Sequence, residues 1–246
     1  MFQERIYRNE IGVKLDYFSI SIEETDLWIG ISKGFINDSL KNELKEYLIN
    51  ERKKLKDYNI LDPQFNLSLV PYKALKNPPD FVNRMSNLSF YANVGPMAGV
   101  AGAFSLLVGN FLKDKKIPEI IVENGGDIFL YGMKSLTVGV YAGKSVFSNK
   151  ISLEIDVDKK NLGVCSSSGS FGHSLSFGKA DLVTIIAEDV ILADLMATSI
   201  CNKIQSKDNI DKIINDLQNI KEISGALIIM EDKLGLFGKL KIKERN

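Results

Sequence analysis

The sequence predicts an α+β fold in which most of the sheet is antiparallel. Its strand-like apolar runs come in clusters with few helical segments between them, whereas a parallel sheet needs strands and helices that alternate. One long segment of small residues, Gly95–Leu112, is typical of a helix buried against a sheet. The coarse order of elements is similar in the two halves of the chain, although no sequence repeat is visible. We therefore expect one domain over residues 1–246, made of two pseudo-repeat halves that meet near residues 132–150.

The first half opens with a predicted hairpin. Val13–Ile22 and Leu27–Ser32 alternate apolar and polar residues on either side of the turn Glu23–Asp26. Asp38 is a candidate N-cap for an amphipathic helix whose apolar residues recur at helical spacing. Asp57–Asn87 contains four prolines, so it is expected to be a long surface excursion with little regular structure.

Strand signals dominate after the small-residue segment. Five of them follow it in turn: Glu119–Glu123, Asp127–Tyr131, Leu136–Ala142, Ile151–Asp156 and Leu162–Ser166. Next come the strand Leu182–Ala187, a helix from about Val190 to Ile204, and a second amphipathic helix capped by Asp208. A closing hairpin joins Ala226–Met230 to Leu234–Leu240, and the lysine-rich alternation beyond it is typical of a sheet edge.

The composition is that of a globular protein without a nucleic-acid partner. Hydrophobic residues make up 45% and charged residues 25% of the 246 residues, which is enough to bury a substantial core. Basic and acidic residues number 31 each, so the chain lacks the cationic excess that nucleic-acid binding requires. Cys165 and Cys201 are too few for a disulfide framework or a closed zinc site, and they fit a reduced, cytoplasmic compartment.

No segment of the sequence predicts a membrane-spanning helix or an export signal. The N-terminal residues lack an apolar signal core. The most apolar run, Met97–Leu112, is interrupted by glycine and serine and falls short of the roughly twenty continuous apolar residues that a span needs. We therefore expect a soluble protein without a membrane partner.

The first candidate site is Glu-Asn-Gly-Gly-Asp, residues 123–127, between two strand signals. Gly125 and Gly126 allow positive φ, and adjacent amides in such a turn can form an anion-binding nest. Asn124 and Asp127 supply polar side chains, and Asp127 could accept a hydrogen bond from a ribose hydroxyl. The alternative is a plain hairpin turn, because Asn-Gly is a strong hairpin signal.

The second candidate site is the Ser/Gly-rich loop that ends in His173, the single histidine of the chain. Ser167, Ser168 and Gly169 offer hydroxyls and amides that suit a phosphate or diphosphate. His173 can act as a general acid or base near neutral pH. The alternative is a solvated loop with a surface histidine. A hydrolase triad with Asp181 is disfavoured because the sequence lacks a G-x-S-x-G nucleophile elbow.

The third candidate site is a pair of oxygen ligands, Asp194 and Thr198, one turn apart on a predicted helix. A carboxylate and a hydroxyl suit Mg²⁺, which keeps several waters and commonly bridges to phosphate. The alternative is local, with Asp194 favoured by the helix dipole and Thr198 bonded to the preceding turn.

Taken in order, three motifs resemble those of the ApbE-like superfamily, the FAD:protein FMN transferases. They are Asn124-Gly-Gly-Asp-Ile128, Ser168-Gly169 with His173, and Ala193-Asp-Leu-Met-Ala-Thr198. The corresponding family patterns are N-x-G-G-D-I, S-G followed by a histidine, and A-D-A-L-S-T. The resemblance covers residues 90–204 or so and points to the uncharacterised cytosolic branch of the superfamily.

The resemblance implies a T-fold-like, pseudo-duplicated architecture that binds a flavin nucleotide, FAD or FMN, between its halves. It implies that Asn124–Asp127 and Ser168–Gly169 line the nucleotide site. It also implies that Asp194 and Thr198 hold Mg²⁺, with a backbone carbonyl near Ala98 as a further ligand. In the transferases the metal polarises the FAD diphosphate, and the FMN phosphoryl group passes to a hydroxyl of an acceptor protein.

One departure from the family pattern leaves three functions open. In the transferases Asp-Pro-x-Thr-Gly follows the histidine, whereas Ser-Leu-Ser-Phe-Gly-Lys follows His173 here. The first function is a Mg²⁺-dependent enzyme that transfers FMN or cleaves the FAD diphosphate, with His173 as acid and base. The second is a flavin-binding protein without catalysis, and the third is a structural partner that has kept the fold. A homodimer formed through exposed strands is a further expectation.

Overall fold

The computed structural model describes residues 15–158, 160–169, 176–238 and 240–245. Within these ranges the fold is α+β, as predicted, with two antiparallel sheets and six α-helices. The strands are β1 (Leu15–Ile22), β2 (Thr25–Ser32), β3 (Ile120–Asn124), β4 (Asp127–Tyr131), β5 (Ser135–Gly139), β6 (Ile151–Asp156), β7 (Leu162–Ser167), β8 (Leu182–Ala187), β9 (Ile223–Met230), β10 (Lys233–Gly238) and β11 (Leu240–Glu244). The helices are α1 (Asp38–Leu61), α2 (Pro63–Leu67), α3 (Asp80–Ala92), α4 (Val100–Asp114), α5 (Val190–Lys203) and α6 (Asn209–Leu217).

The large sheet has eight strands in the order β1-β2-β3-β4-β7-β8-β9-β10, and the small sheet has the order β11-β6-β5. All neighbouring strands are antiparallel. Each half of the large sheet consists of two adjacent strands, then helices, then two more adjacent strands. The two halves meet where β4 pairs with β7. The duplication itself, with its boundary near residues 132–150, stays a prediction.

The large sheet is covered on both faces. Side chains such as Phe129 and Cys165 point to the helices, whereas their neighbours Ile128 and Val164 point to the small sheet. The period of two along each strand produces this division. Helix α4 packs on β3 and β4, and α5 packs on β7 and β8. The two helices therefore lie side by side over the junction of the two halves.

The small-residue segment is a core helix. Residues Pro96–Asp114 are long and apolar enough to cross a membrane by length and composition, and among the described residues they are the one such stretch. However, 56% of the most apolar window is buried inside the protein, which is the behaviour of a core helix. A Cβ on Gly109 would meet the Phe129 ring at 2.3 Å, so glycine is what lets α4 approach β4 so closely.

Three predicted boundaries were wrong. Helix α1 is capped by Asn37, whose Oδ1 accepts a hydrogen bond from the Leu40 amide at 2.9 Å, and Asp38 is its first residue. The expected irregular excursion contains the end of α1, all of α2 and the start of α3, because Pro63 and Pro79 precede or begin helices there. The closing strand is divided: Gly238, at φ 95°, separates β10 in the large sheet from β11 at the edge of the small one.

A buried carboxylate organises the segment Asp57–Asn87, which was expected to be an irregular surface excursion. Asp62, between α1 and α2, is 2% exposed and accepts hydrogen bonds from the hydroxyls of Tyr58 (3.0 Å) and Tyr72 (2.8 Å). Its oxygens also accept from the amides of Phe65 (3.3 Å) and Leu75 (3.2 Å). Four donors satisfy one carboxylate, which explains how it can stay buried.

Stability should fall between pH 10 and pH 12 in a way that depends on Tyr58. Burial, followed by the hydrogen bond to Asp62, raises the pKa of Tyr58 from 10.0 to about 12. A raised pKa stabilises the fold below the unfolded value, and that contribution is lost as the pH rises through the folded value. Urea midpoints measured across this range should fall less in Tyr58→Phe than in the wild type. Equal falls would show that the Tyr58 hydroxyl is not held in this environment.

Candidate functional site

The turn between β3 and β4 is a two-residue hairpin. Asn124 and Asp127 pair directly across it, and Gly125 and Gly126 have φ of 69° and 107°. A Cβ on either glycine would meet nothing within 4 Å, so the requirement is for positive φ rather than for space. The Gly126 amide donates to Glu123 Oε1 at 2.8 Å, so a carboxylate already occupies one donor of the expected anion nest.

The two polar residues that flank this turn are buried under α4. Asn124 Nδ2 donates to the carbonyl oxygen of Ala101 at 3.2 Å. The backbone oxygen of Asp127 accepts from the Ser105 hydroxyl at 2.8 Å, and its Oδ1 accepts from the Ser166 amide at 3.2 Å. The side chains of Asn124 and Asp127 therefore join this turn to the start of α4 and to the end of β7.

Asp194 reaches the same place from α5. It is 5% exposed, and its Oδ2 accepts from the Gly102 amide at 2.8 Å. A Cβ on Gly102 would lie 3.1 Å from this oxygen and 2.8 Å from the Val190 carbonyl oxygen, so the contact depends on glycine. Gly102 was not among the predicted site residues, because a contact over 92 residues leaves no local signal in the sequence.

Asp127 and Asp194 form a pair of buried carboxylates that repel each other. Burial raises the pKa of Asp194, against the effect of the Gly102 amide. Burial and then the charge of Asp194 raise the pKa of Asp127 well above its ordinary value, and the Ser166 amide offsets part of the rise. No lysine or arginine among the described residues contributes to either shift. The pair lacks the compensating positive charge that buried carboxylates normally require.

Cys165 lies beside this pair and was also not predicted as a site residue. Its thiol is fully buried and donates to the carbonyl oxygen of Val190 at 3.5 Å. Burial, then the charges of Asp127 and Asp194, raise the pKa of the thiol well above its ordinary value. The thiol is therefore neutral and acts as a weak donor in this cluster.

Thr198 and Ser167 extend the site along α5 and β7. Thr198 is 4% exposed and follows Asp194 by one helical turn, as predicted. Ser167 is also 4% exposed, and its Oγ has no hydrogen-bond partner among the described residues. Burial raises the pKa of the nearby Cys201 thiol, and the Ser176 and Ser167 hydroxyls offset part of that rise. Ser167 and Cys201 do not reach hydrogen-bond geometry, so the Ser167 hydroxyl is a buried polar atom without a partner among the described residues.

The base of the Ser/Gly loop is fixed by close backbone packing. Ser168 is buried, and the Gly169 amide donates to the carbonyl oxygen of Ala180 at 2.9 Å. A Cβ on Gly169 would meet the Gly178 oxygen at 2.0 Å, so this glycine is required for packing. Its amide is already bonded, so it does not face a phosphate in the way the sequence suggested. His173 lies outside the described residues.

Asp181, the acid of the sequence alternative of a Ser-His-Asp triad, is bonded to the backbone of β9 and the residue after it. Asp181 Oδ2 accepts from the Glu231 amide at 2.6 Å, and the Asp181 amide donates to the Ile229 carbonyl oxygen at 2.9 Å. These two bonds tie the start of β8 to the end of β9.

The carboxylate pair fits a divalent cation only as part of a coordination shell. No group of three or more His, Cys, Asp or Glu side chains within the described ranges is arranged to hold a metal ion. A cation between Asp127 and Asp194 would therefore need further oxygen ligands, such as the Thr198 hydroxyl, a backbone carbonyl, water or a phosphate. Mg²⁺ commonly binds proteins through one or two carboxylates in this way.

Three comparisons with known proteins agree with one another. Residues 9–230 match the model of the family described as "AbpE bacteria". A UPF0280 protein of Methanobrevibacter smithii is 39% identical over 208 residues, which cover 82% of this chain and 87% of that protein. A UPF0280 protein of Methanococcus vannielii is 40% identical over 225 residues, covering 90% of each chain.

The fold is similar to that of a solved flavinyl transferase. The apo form of ApbE from Pseudomonas stutzeri superposes with a TM-score of 0.54 over 94% of each chain, at 14% sequence identity. This likeness bears out the predicted fold class, with its two antiparallel sheets and packed helices. Because the family model spans most of the sequence and the motifs occur in the expected order, the chain belongs to the AbpE bacteria family of the ApbE-like superfamily.

Proposed function

We propose that this protein binds a flavin nucleotide with Mg²⁺ and breaks the diphosphate of FAD. The observation that carries the proposal is the pair of buried carboxylates, Asp127 and Asp194, at the junction of the two halves. A divalent cation would supply the positive charge that the pair lacks, and a diphosphate would complete the coordination of that cation. The fold shared with a flavinyl transferase makes FAD the preferred diphosphate.

The residues of the chain have distinct roles in this proposal. The amide of Gly102 orients Asp194, and the amide of Ser166 orients Asp127, so both carboxylates are positioned before the ligand arrives. The unpartnered Ser167 hydroxyl donates to a phosphate oxygen, and Ser168 and Asn124 line the nucleotide. Thr198 adds a metal ligand. Bound Mg²⁺ neutralises charge that develops on the diphosphate.

The reaction breaks one phosphorus–oxygen bond of FAD and forms another. A hydroxyl oxygen of a serine or threonine on an acceptor protein attacks the FMN phosphorus, and AMP leaves with the bridging oxygen. With water as the attacking group the products are FMN and AMP. His173 takes the proton of the attacking hydroxyl in this proposal. Both cysteines are free and buried, and we place the reaction in the cytoplasm.

Incubation with FAD and MgCl₂ tests the proposal. Chromatography should detect AMP together with either free FMN or FMN covalently attached to added candidate acceptors. Omission of the metal, or Asp194→Asn, should abolish the products. Absence of AMP over many hours with every acceptor tried would contradict a catalytic function.

A second candidate function is flavin binding without catalysis. Two observations favour it: the Asp-Pro that follows the histidine in the transferases is absent here, and the amides of Gly126 and Gly169 are already bonded within the protein. Both observations leave fewer groups to stabilise a reacting diphosphate. This function predicts saturable quenching of FAD or FMN fluorescence that is unchanged in His173→Ala and is accompanied by no AMP.

A further inference from the structure

Six aliphatic side chains are exposed together where α1, α2 and the loop after α2 meet. Each is between 52% and 76% exposed, and we call the set the aliphatic patch: Ile60, Leu61, Leu67, Leu69, Val70 and Leu75. Single exposed aliphatic residues are ordinary, but six within sixteen residues form a surface that calls for a partner.

The exposure of the aliphatic patch is fixed by the fold. Asp62, the buried residue that follows Leu61, is held by four donors, one of them the Leu75 amide. Downstream, the Ala74 amide donates to the Ser86 hydroxyl at 2.8 Å, which ties the loop to α3. A Cβ on Gly95 would lie 1.8 Å from the Ser68 backbone oxygen, so the backbones at Gly95 and Ser68 are in close contact. These contacts hold the aliphatic side chains in solvent rather than leaving them free to fold inward.

The surroundings of the aliphatic patch are cationic. Between residues 53 and 76 the exposed charged side chains are one acid, Asp57, and five lysines. Lys54 is paired with Glu51 and Lys56 with Glu23, so the excess positive charge comes from Lys53, Lys73 and Lys76. The other acid of this stretch, Asp62, is buried. Lys53 and Lys54 precede Ile60 and Leu61 by seven residues, or two turns of α1. Each lysine therefore lies on the same face of the helix as the corresponding aliphatic residue, about 10 Å away along the helix axis.

This combination favours one class of partner over two others. A second copy of the chain would bring two rows of lysines together. Protein partners select surfaces rich in aromatic residues and arginine and poor in lysine, and the aliphatic patch has the opposite composition. A lipid surface suits both features, because aliphatic side chains enter the interface by about 5–10 Å while lysines reach the headgroups.

We propose that the aliphatic patch docks on the surface of an anionic lipid membrane. The aliphatic side chains enter the boundary between headgroups and acyl chains, and the lysines pair with anionic headgroups. Such peripheral contact needs no spanning helix, so it is compatible with α4 being part of the core. It also stands apart from the flavin chemistry and can be tested without it.

Sedimentation of the full-length protein with lipid vesicles tests this proposal. The protein should sediment with vesicles of phosphatidylglycerol and phosphatidylcholine, but not with phosphatidylcholine alone. Leu67→Asn combined with Val70→Asn should weaken partitioning by at least about tenfold, since more than one buried aliphatic side chain is lost. Lys53→Glu with Lys76→Glu, or high salt, should weaken it as well. Val146→Asn changes an exposed aliphatic residue elsewhere, which is 53% exposed, and should have no effect.

Three results would overturn the proposal. The first is failure of the wild-type protein to bind the anionic vesicles, and the second is equal binding by the Leu67→Asn, Val70→Asn variant. The third is a dimer in light scattering that this variant converts to a monomer, which would assign the aliphatic patch to a second copy of the chain. Circular dichroism of each variant verifies that the fold is retained.

Discussion

Asp194→Asn should make the protein more stable without metal and remove its response to Mg²⁺. The substitution replaces one of two buried carboxyl groups whose charged forms repel each other, and the asparagine Oδ1 can still accept from the Gly102 amide. We expect the free energy of unfolding without metal to rise by about 1–3 kcal/mol, as when buried charges give way to neutral groups. Melting temperature with and without MgCl₂ measures both effects: MgCl₂ should stabilise the wild type and leave the variant unchanged.

The same variant should lose at least about a hundredfold of any FAD-cleaving activity, because the metal ion that Asp194 would hold contributes several kcal/mol to charge stabilisation. Asp189→Asn is the matched control. Asp189 is the N-cap of the same helix, where it accepts from the Ile191 and Leu192 amides and pairs with Arg84 at the surface, and asparagine caps helices equally well. A Mg²⁺ response that survives in Asp194→Asn, or is lost in Asp189→Asn, would show that Asp194 is not a ligand.

Gly178→Ala should be the most damaging single methyl addition near the site. A Cβ at this position would lie 1.6 Å from the carbonyl oxygen of Cys201 and 2.5 Å from its carbon, both of which are backbone atoms. Neither can rotate away, so the end of α5 and the loop that precedes β8 must separate. We expect a loss of about 3 kcal/mol in the free energy of unfolding, at the upper end of overpacking effects.

Ser176→Ala provides the comparison for this prediction. It removes the hydrogen bond from the Ser176 hydroxyl to Asn202 Oδ1 (3.0 Å) and the one that this hydroxyl accepts from the Gly178 amide (3.3 Å), without adding volume. Its cost should be about 1–2 kcal/mol. Denaturant unfolding of the two variants side by side distinguishes packing from hydrogen bonding, and equal losses would contradict the close contact at Gly178.

The residues that carry the site could be chosen from the sequence because their motifs are short and ordered. Asn124 and Asp127 flank two glycines, and Asp194 and Thr198 are one helical turn apart. The local sequence could not show whether the two groups of residues lie close together in the fold. That depends on α4 and α5 lying side by side, which the glycines of α4 permit only once both helices are packed on the sheet.

Other structural features could not be predicted from the sequence, because they too depend on contacts between distant residues. Prolines suggested an irregular stretch after Asp57, but the helices there are organised by Asp62, whose partners are far apart in the chain. The Gly169 amide seemed available for a phosphate, yet it bonds to the Ala180 oxygen. Local patterns report which groups exist, whereas tertiary contacts decide which of them are already paired.

The crossing at Gly238 has a consequence for how the chain folds. The small sheet joins β5 and β6 to β11, and pairs such as Ile155 with Leu240 are distant in sequence. The edge of β6 therefore stays unpaired until β11 arrives, even when every helix is in place. Such late, non-local pairing slows folding and leaves an adhesive intermediate. A chain shortened before Gly238 should therefore collapse and aggregate rather than form a smaller native domain.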